Sequence, residues 1–220
     1  MKVGTDGVLL GAWAGTGEPK RILDIGTGTG LIALILAQRF PQAEITAIEP
    51  NALAYDEAAQ NFAASPFFDR INLDKKKIQD FTPSVSYDLI VSNPPFFTAS
   101  LINEQEGKAQ ARHSLYLTPQ DLSKGTDYLR DSGEFGVIYP PKEASIFTEL
   151  MVNKGFDLIY AAFIRPNLSK PIHRKIQLFS KSKKQLKTEE IVIEEGGRHQ
   201  FSQRYRELTE PYYLDRHFQR

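Results

Sequence analysis

The sequence predicts an α/β protein with an open, doubly wound and mostly parallel sheet of seven strands. An antiparallel strand is expected at one edge, with small additions at both ends of the chain. Three observations predict it. Short β-rich runs alternate with helix-length segments. A glycine-rich turn, Gly26-Thr27-Gly28-Thr29-Gly30, joins the first run to the first such segment. The last two runs are separated only by Arg165 to His173, which can carry a loop but not a covering helix, so these two strands should be antiparallel neighbours.

Arg21 to Ile25 is a β-rich run ending in glycines, and Leu31 to Phe40 has the length of a helix stopped by Pro41. Glu44 to Glu49 is the second strand, Ala52 to Ala63 the second helix, and Arg70 to Asp74 the third strand. Tyr87 to Ser92 is a fourth strand. Thr118 to Arg130 reads as a helix closed by Gly133, followed by a strand over Glu134 to Tyr139. Lys142 to Asn153 is a helix ending at Lys154-Gly155, and strands follow over Asp157 to Ile164 and Arg174 to Ser180. Glu190 to Ile193 is a candidate extra strand and Gln200 to Phe218 a candidate terminal helix. Phe97 to Leu117 is long for a connection and is expected to form a partly ordered lid. A single domain is expected over residues 1–220, with a capping segment at 1–19, a core sheet at 20–180 and an extension at 181–220.

At 220 residues the chain can bury a real core, and 41% apolar with 25% charged residues is ordinary globular composition. The longest apolar run is the seven residues Leu31 to Ala37, too short for a membrane-spanning helix, and the first residues show no signal-peptide pattern. Cysteine is absent, which excludes disulfides, thiolate-bound metal and thiol catalysis and fits the cytoplasm. No His/Asp/Glu set has metal-site spacing, so no metal is expected. The net charge of zero hides an asymmetry. Residues 1–164 hold 14 Lys/Arg against 20 Asp/Glu, and residues 165–220 hold 13 against 7. From Arg165 to Lys187 there are eight basic residues and no acidic one, either a polyanion-binding face or a solvated hairpin.

The glycine turn lets backbone approach a ligand, but Leu31 stands where the dinucleotide fingerprint needs glycine, and no phosphate-binding P-loop pattern occurs. Asp24 precedes the glycines, where a carboxylate can accept from an ammonium or order a water that does. Glu49 follows Gly30 by 19 residues, at the end of the second strand, where an acid can hold both hydroxyls of a ribose. After the third strand, Asp80 in Ile78-Gln79-Asp80-Phe81 can accept from an adenine amino group; a plain turn is the competing reading. The fourth strand ends in Asn93-Pro94-Pro95-Phe96. Two prolines stiffen the backbone and remove donors, leaving the Asn93 side-chain oxygen and the Pro94 carbonyl as acceptors, with Phe96 as a stacking face. That set suits a planar amine. Acceptors gripping both amino hydrogens favour a more tetrahedral nitrogen with its lone pair free to attack a methyl group.

Together these residues resemble the class I S-adenosylmethionine-dependent methyltransferases of the amino-methylating branch, and the likeness covers most of the chain. Met1-Lys2-Val3-Gly4-Thr5-Asp6-Gly7-Val8-Leu9-Leu10-Gly11-Ala12-Trp13, and Asn93-Pro94-Pro95-Phe96-Phe97 followed by Ala111-Arg112-His113, are similar to the bacterial tRNA1(Val) adenine-N6 methyltransferases. That family modifies the adenine on the 3′ side of the anticodon, so the resemblance implies a Rossmann-like fold, S-adenosylmethionine as cofactor and tRNA as substrate. It implies that Lys2, Gly4, Thr5 and Asp6 line the methionine end of the cofactor. Asp24, Gly26, Gly28 and Gly30 would form the glycine-turn site, Glu49 would hold the ribose, and Gln79 and Asp80 would flank the adenine. Asn93, Pro94, Pro95 and Phe96 would hold the target base. Members usually carry a short stretch before this N-terminal signature, so a trimmed start is expected.

Arg112 is a candidate RNA contact and His113 reads as a surface residue. In the basic stretch, Lys170 and Arg174 are the candidates for phosphate, and Lys181 to Lys187 read as solvated surface. No protein partner is expected. Ribosomal RNA, DNA and a protein glutamine amide stay open as alternative acceptors, because the same pair of oxygens grips any of these amines. A non-catalytic module with a decayed site is disfavoured by the intact acids, glycines and Asn-Pro-Pro-Phe.

Overall fold

The computed structural model describes residues 4–95, 117–214 and 218. Lys2, Phe96, Arg112, His113 and the proposed lid up to residue 116 lie outside them.

Eight strands form one sheet in the order β3-β2-β1-β4-β5-β7-β6-β8. They are β1 (Arg21–Ile25), β2 (Glu44–Ile48), β3 (Ile71–Asp74), β4 (Tyr87–Ser92), β5 (Leu129–Tyr139), β6 (Asp157–Asn167), β7 (Arg174–Ser180) and β8 (Lys187–Glu194). β1 to β5 run parallel, and β7 lies antiparallel between β5 and β6. The antiparallel pair is therefore at the expected end of the sheet. The candidate extra strand exists as β8, which pairs parallel with β6 and forms the outermost strand. Order reverses between β1 and β4, so the carboxyl ends of these two strands open a crevice.

The helices are α1 (Thr5–Trp13), α2 (Leu31–Arg39), α3 (Ala52–Ala63), α4 (Pro119–Ser123), α5 (Pro141–Asn153) and α6 (Gln203–Thr209). Local chemistry starts them. The Asn51 side chain accepts from Ala54 N at 3.0 Å, and Thr118 and Ser202 do the same for Asp121 N and Tyr205 N. Proline opens α4 and α5.

The N-terminal signature is a buried helix. Every residue of α1 from Gly7 to Trp13 is buried. Gly7 and Gly11 face α2: a Cβ on Gly7 would meet Leu31 at 3.2 Å, and one on Gly11 would meet Ile35 at 2.9 Å. Two glycines one turn apart thus let the helices touch. Arg39 caps the far end of α1, donating to the Gly11 carbonyl at 3.0 Å and to that of Ala14. Trp13 Nε1 donates to Glu189 Oε1 at 2.6 Å, and Glu189 also takes the Tyr160 hydroxyl and Arg204, tying α1 to β8 and α6.

The expected helix over Thr118 to Arg130 is corrected. It stops at Ser123 and continues as a 3-10 turn over Lys124–Tyr128, and β5 starts at Leu129. Along β4 the register jumps from Tyr87↔Leu129 to Leu89↔Glu134, so β5 bulges there. Gly133 sits in this bulge: a Cβ would lie 3.0 Å from the Arg130 carbonyl and 3.1 Å from that of Tyr87. Backbone crowding, not helix termination, requires the glycine. The terminal helix is likewise shorter than expected, covering only Gln203–Thr209 with a 3-10 turn after it. Among the described residues no helix is long and apolar enough to cross a membrane.

Candidate active site

Two compartments open along the carboxyl ends of the strands. The larger, about 730 Å³, is walled by the glycine turn, by Gly4 to Gly7 at the start of α1, by Asn93, and across from them by Pro166, His173, Arg174 and Ile193. The smaller, about 160 Å³, lies among Glu49, Pro50, Ile78, Gln79 and Leu117. Gly26, Pro94 and Pro95 line both.

The floor between them is built by backbone. Gly26 N and Thr27 N both donate to the Ile48 carbonyl, at 2.9 and 3.1 Å, which pulls the turn over the end of β2. The Ser92 hydroxyl donates to the Ile25 carbonyl at 2.8 Å, locking the end of β4 to the end of β1. Gly30 has φ +86°, and a Cβ there would come within 2.3 Å of the Phe62 ring, so only glycine can start α2 in this way.

Glu49 is buried at the end of β2. Its Oε2 accepts from Gly28 N and its Oε1 from Asn51 N, both at 2.9 Å. Each oxygen keeps a second lone-pair direction for a ligand hydroxyl. Asp24 is wholly buried. Its Oδ2 accepts from the Thr27 hydroxyl at 2.6 Å, but its Oδ1 has no partner. Burial pushes this carboxyl up to about 7, against the pull of the Thr27 hydroxyl and the Ala33 backbone amide, and the charge of Glu49 adds to the rise. An unsatisfied buried acceptor costs about 1–3 kcal/mol. A ligand donor placed there would remove that cost.

Gln79 lines the smaller compartment and its side chain bonds Asp121. Asp80 is exposed on the 3-10 turn beside it. Pro50, Ile78 and Leu117 supply the apolar walls. Pro50 and Leu117 were not singled out by the sequence reading, although Pro50 directly follows the strand-end acid. Asn93 lies against α1: a Cβ on Gly7 would be 3.9 Å from its Nδ2. Asp6 accepts from Arg174 Nε at 2.7 Å, with both side chains largely covered. This pair joins the start of α1 to the start of β7, 168 residues away. Lys170 is exposed on the turn after β6.

A family model described as "Methyltransferase small domain" matches residues 7–139. The chain belongs to this methyltransferase family. It is 40% identical over 222 residues to the tRNA1(Val) (adenine(37)-N6)-methyltransferase of Bacteroides thetaiotaomicron, covering 97% of this chain and 91% of the relative. It is 38% identical to the enzyme of the same name from Vibrio parahaemolyticus, covering 97% and 89%. Among solved structures, a protein described as a predicted O-methyltransferase from Agrobacterium tumefaciens superposes with TM-score 0.75 at 17% identity, over 94% of this chain and 96% of that one. That likeness shows the fold, a Rossmann-like methyltransferase sheet.

The methyltransferase takes its methyl group from S-adenosylmethionine, and the cleft suits that molecule. The unpartnered Asp24 oxygen suits an ammonium, the two half-used oxygens of Glu49 suit a vicinal diol, and the slot between Pro50, Ile78 and Leu117 suits a flat ring.

Proposed function

We propose that this chain methylates the exocyclic N6 of an adenine in tRNA, the adenine at position 37 of a valine tRNA, and does so in the cytoplasm as a single domain. One observation carries the reading. Asn93, Pro94 and Pro95 stand at the strand-order reversal, Pro94 and Pro95 on the wall that the two compartments share and Asn93 beside them in the larger one. A base held there by its amino group lies beside both. The curated relatives that match nearly the whole chain carry the name of this activity.

In this reading Gly4, Thr5 and Asp6 line the methionine end of the cofactor. Asp24 accepts from its ammonium directly or through a water, Gly26, Gly28 and Gly30 let the backbone approach it, and Glu49 holds the ribose. Gln79 and Pro50 border the adenine, whereas Asp80 stands outside that slot. Bound there, the cofactor supplies a methyl group on a sulfonium, an electrophile that needs no activation by the protein. The work of the chain is on the nucleophile. The Asn93 oxygen and the Pro94 carbonyl accept the two amino hydrogens, which frees the nitrogen lone pair from the ring. Phe96 stacks on the base. Lys170 and Arg112 contact RNA; Arg174 is reassigned here to holding α1.

The test is transfer from labelled S-adenosylmethionine to valine tRNA transcripts, with digestion and mass spectrometry of the product. N6-methyladenosine at position 37, lost when that adenine is replaced by guanine, supports the reading. Label in another position, in DNA or in a glutamine amide overturns it.

A further inference from the structure

We propose that the two turns leaving β6 and β8 beside the cleft form one RNA-docking lip, with Lys170 and Arg198 as its phosphate contacts. The proposal rests on the tRNA reading above. β6 and β8 run parallel with Asn167 opposite Glu194, so residues 168–173 and 195–200 leave the sheet abreast, roughly 5 Å apart. Pro166 and His173 on one side and Ile193 on the other wall the compartment that holds Asn93. The lip is thus continuous with the proposed base site.

Both turns are stiff. Arg165 pairs with Glu190 on the neighbouring strand at 2.8 Å and donates to the Lys170 carbonyl at 2.6 Å. Asn167 Oδ1 accepts from both the backbone and the hydroxyl of Ser169, and His173 N returns to the Ile164 carbonyl at 2.8 Å. On the second turn Glu194 accepts from His199 N at 2.8 Å, and Glu195 N closes onto the Gln200 carbonyl at 3.0 Å. Two arginines of the basic stretch, Arg165 and Arg174, are therefore engaged inside the protein. Among the residues that the turns present outward are Leu168, Lys170, His173, Arg198 and His199, with Glu195 as an exposed acid beside them.

This chemistry fits an RNA strand. A base must leave its stack to reach Asn93, so the nucleotides on either side need a fixed anchor next to the cleft. Cations carried on turns whose backbone is already bonded hold phosphates with less ordering cost, and the exposed Leu168 offers an apolar face to an unstacked base. Of the remaining lysines of the same stretch, Lys175 at the start of β7 lies over the Phe163 ring of β6, and the others are elsewhere. β7 carries the chain from Arg174 to Ser180, roughly 20 Å along the sheet, before Lys183 and Lys187 occur. There Lys184 pairs with the buried Glu134.

The experiment compares two charge-matched double variants, Lys170→Ala with Arg198→Ala and Lys183→Ala with Lys187→Ala. Binding of a valine tRNA anticodon stem-loop transcript is followed by anisotropy from 50 to 200 mM salt, beside methyl transfer and affinity for S-adenosylhomocysteine. The lip variant is expected to bind RNA about tenfold more weakly, with a salt slope lower by roughly 1.4–1.8 for two lost phosphate contacts. Its S-adenosylhomocysteine affinity stays at the wild-type value, which also shows that it is folded, and the other variant binds RNA like wild type. A lip variant with wild-type affinity and slope overturns the lip while wild-type methylation of tRNA leaves the functional reading standing. Equal loss in both variants also overturns it. A wild type that neither binds nor methylates the transcript overturns the reading and the lip together.

Discussion

Both ends of the sheet bury carboxylates, and they use them in opposite ways. At the amino end, Glu134 accepts from Thr16 N at 2.7 Å, from the Thr16 hydroxyl and from Lys184 Nζ at 2.9 Å. Asp88 beside it accepts from Lys20 N and Arg21 N, both at 2.8 Å, and from Arg130 at 2.6 Å. Their donors come from the protein itself, and the result is a closed loop between α1 and β1. At the carboxyl end, Glu49 has one amide on each oxygen, and Asp24 has an oxygen with nothing on it. A saturated acid holds the fold. A buried acid with spare acceptors is a place where the protein gives up stability so that a ligand can restore it.

The largest way to sharpen this contrast acts on the chemistry. Asn93→Ala should keep the affinity for S-adenosylhomocysteine and lower single-turnover methyl transfer by on the order of 10²–10³, the usual effect of losing one oriented polar group. A wild-type single-turnover rate would make Asn93 a structural residue.

Next in size is Glu49→Ala. It removes the two charge-assisted bonds expected to the ribose, each about 1.5–3 kcal/mol at most, and with them the acceptor for Gly28 N that holds the glycine turn. Calorimetry should show cofactor affinity falling about a hundredfold; unchanged affinity removes the ribose role.

Smaller is the Asp6–Arg174 pair. Arg174→Gln should weaken cofactor binding several-fold by loosening the start of α1, and Arg174→Lys should recover part of it. The salt slope for RNA should not move. A slope lowered by about one contact, with the cofactor unaffected, would return Arg174 to the RNA surface.

The same contrast explains what could be read from the sequence. The glycine turn, Asp24, Glu49 and Asn93 were legible because each is set by its own neighbours: a strand end, a tight turn, a proline pair. Arg174 was not, because its partner Asp6 is distant in sequence, and a basic residue in a basic stretch looks the same whether it meets RNA or a carboxylate. The start of β5 was misread for a related reason. Thr118-Pro119 opens a helix in the ordinary way, but the bulge against Tyr87 that ends it is a matter of pairing between strands, and Gly133 serves both readings equally well. The burial of α1 was also hidden. Its glycines have meaning only once α2 lies against them.

The most direct test sets Asp24→Asn beside Glu134→Gln and measures, for each, the S-adenosylhomocysteine affinity and the urea unfolding free energy at pH 6 and pH 8. The folded Asp24 carboxyl titrates near 7, raised from its unfolded value of 3.8. Its contribution to the empty protein is therefore fully favourable below about 4 and is lost as pH rises through 7, on the order of 4 kcal/mol. Asp24→Asn should make the empty protein more stable than wild type at pH 8, with a smaller gain at pH 6. It should bind the ligand more weakly and should lack the rise in affinity expected of wild type between those pH values as Asp24 ionises. Glu134→Gln should unfold about 1–3 kcal/mol more easily and bind the ligand as wild type does. If Asp24→Asn destabilises the empty protein at pH 8 while leaving ligand affinity intact, the buried carboxylate at the carboxyl end is structural and the division between the two ends fails.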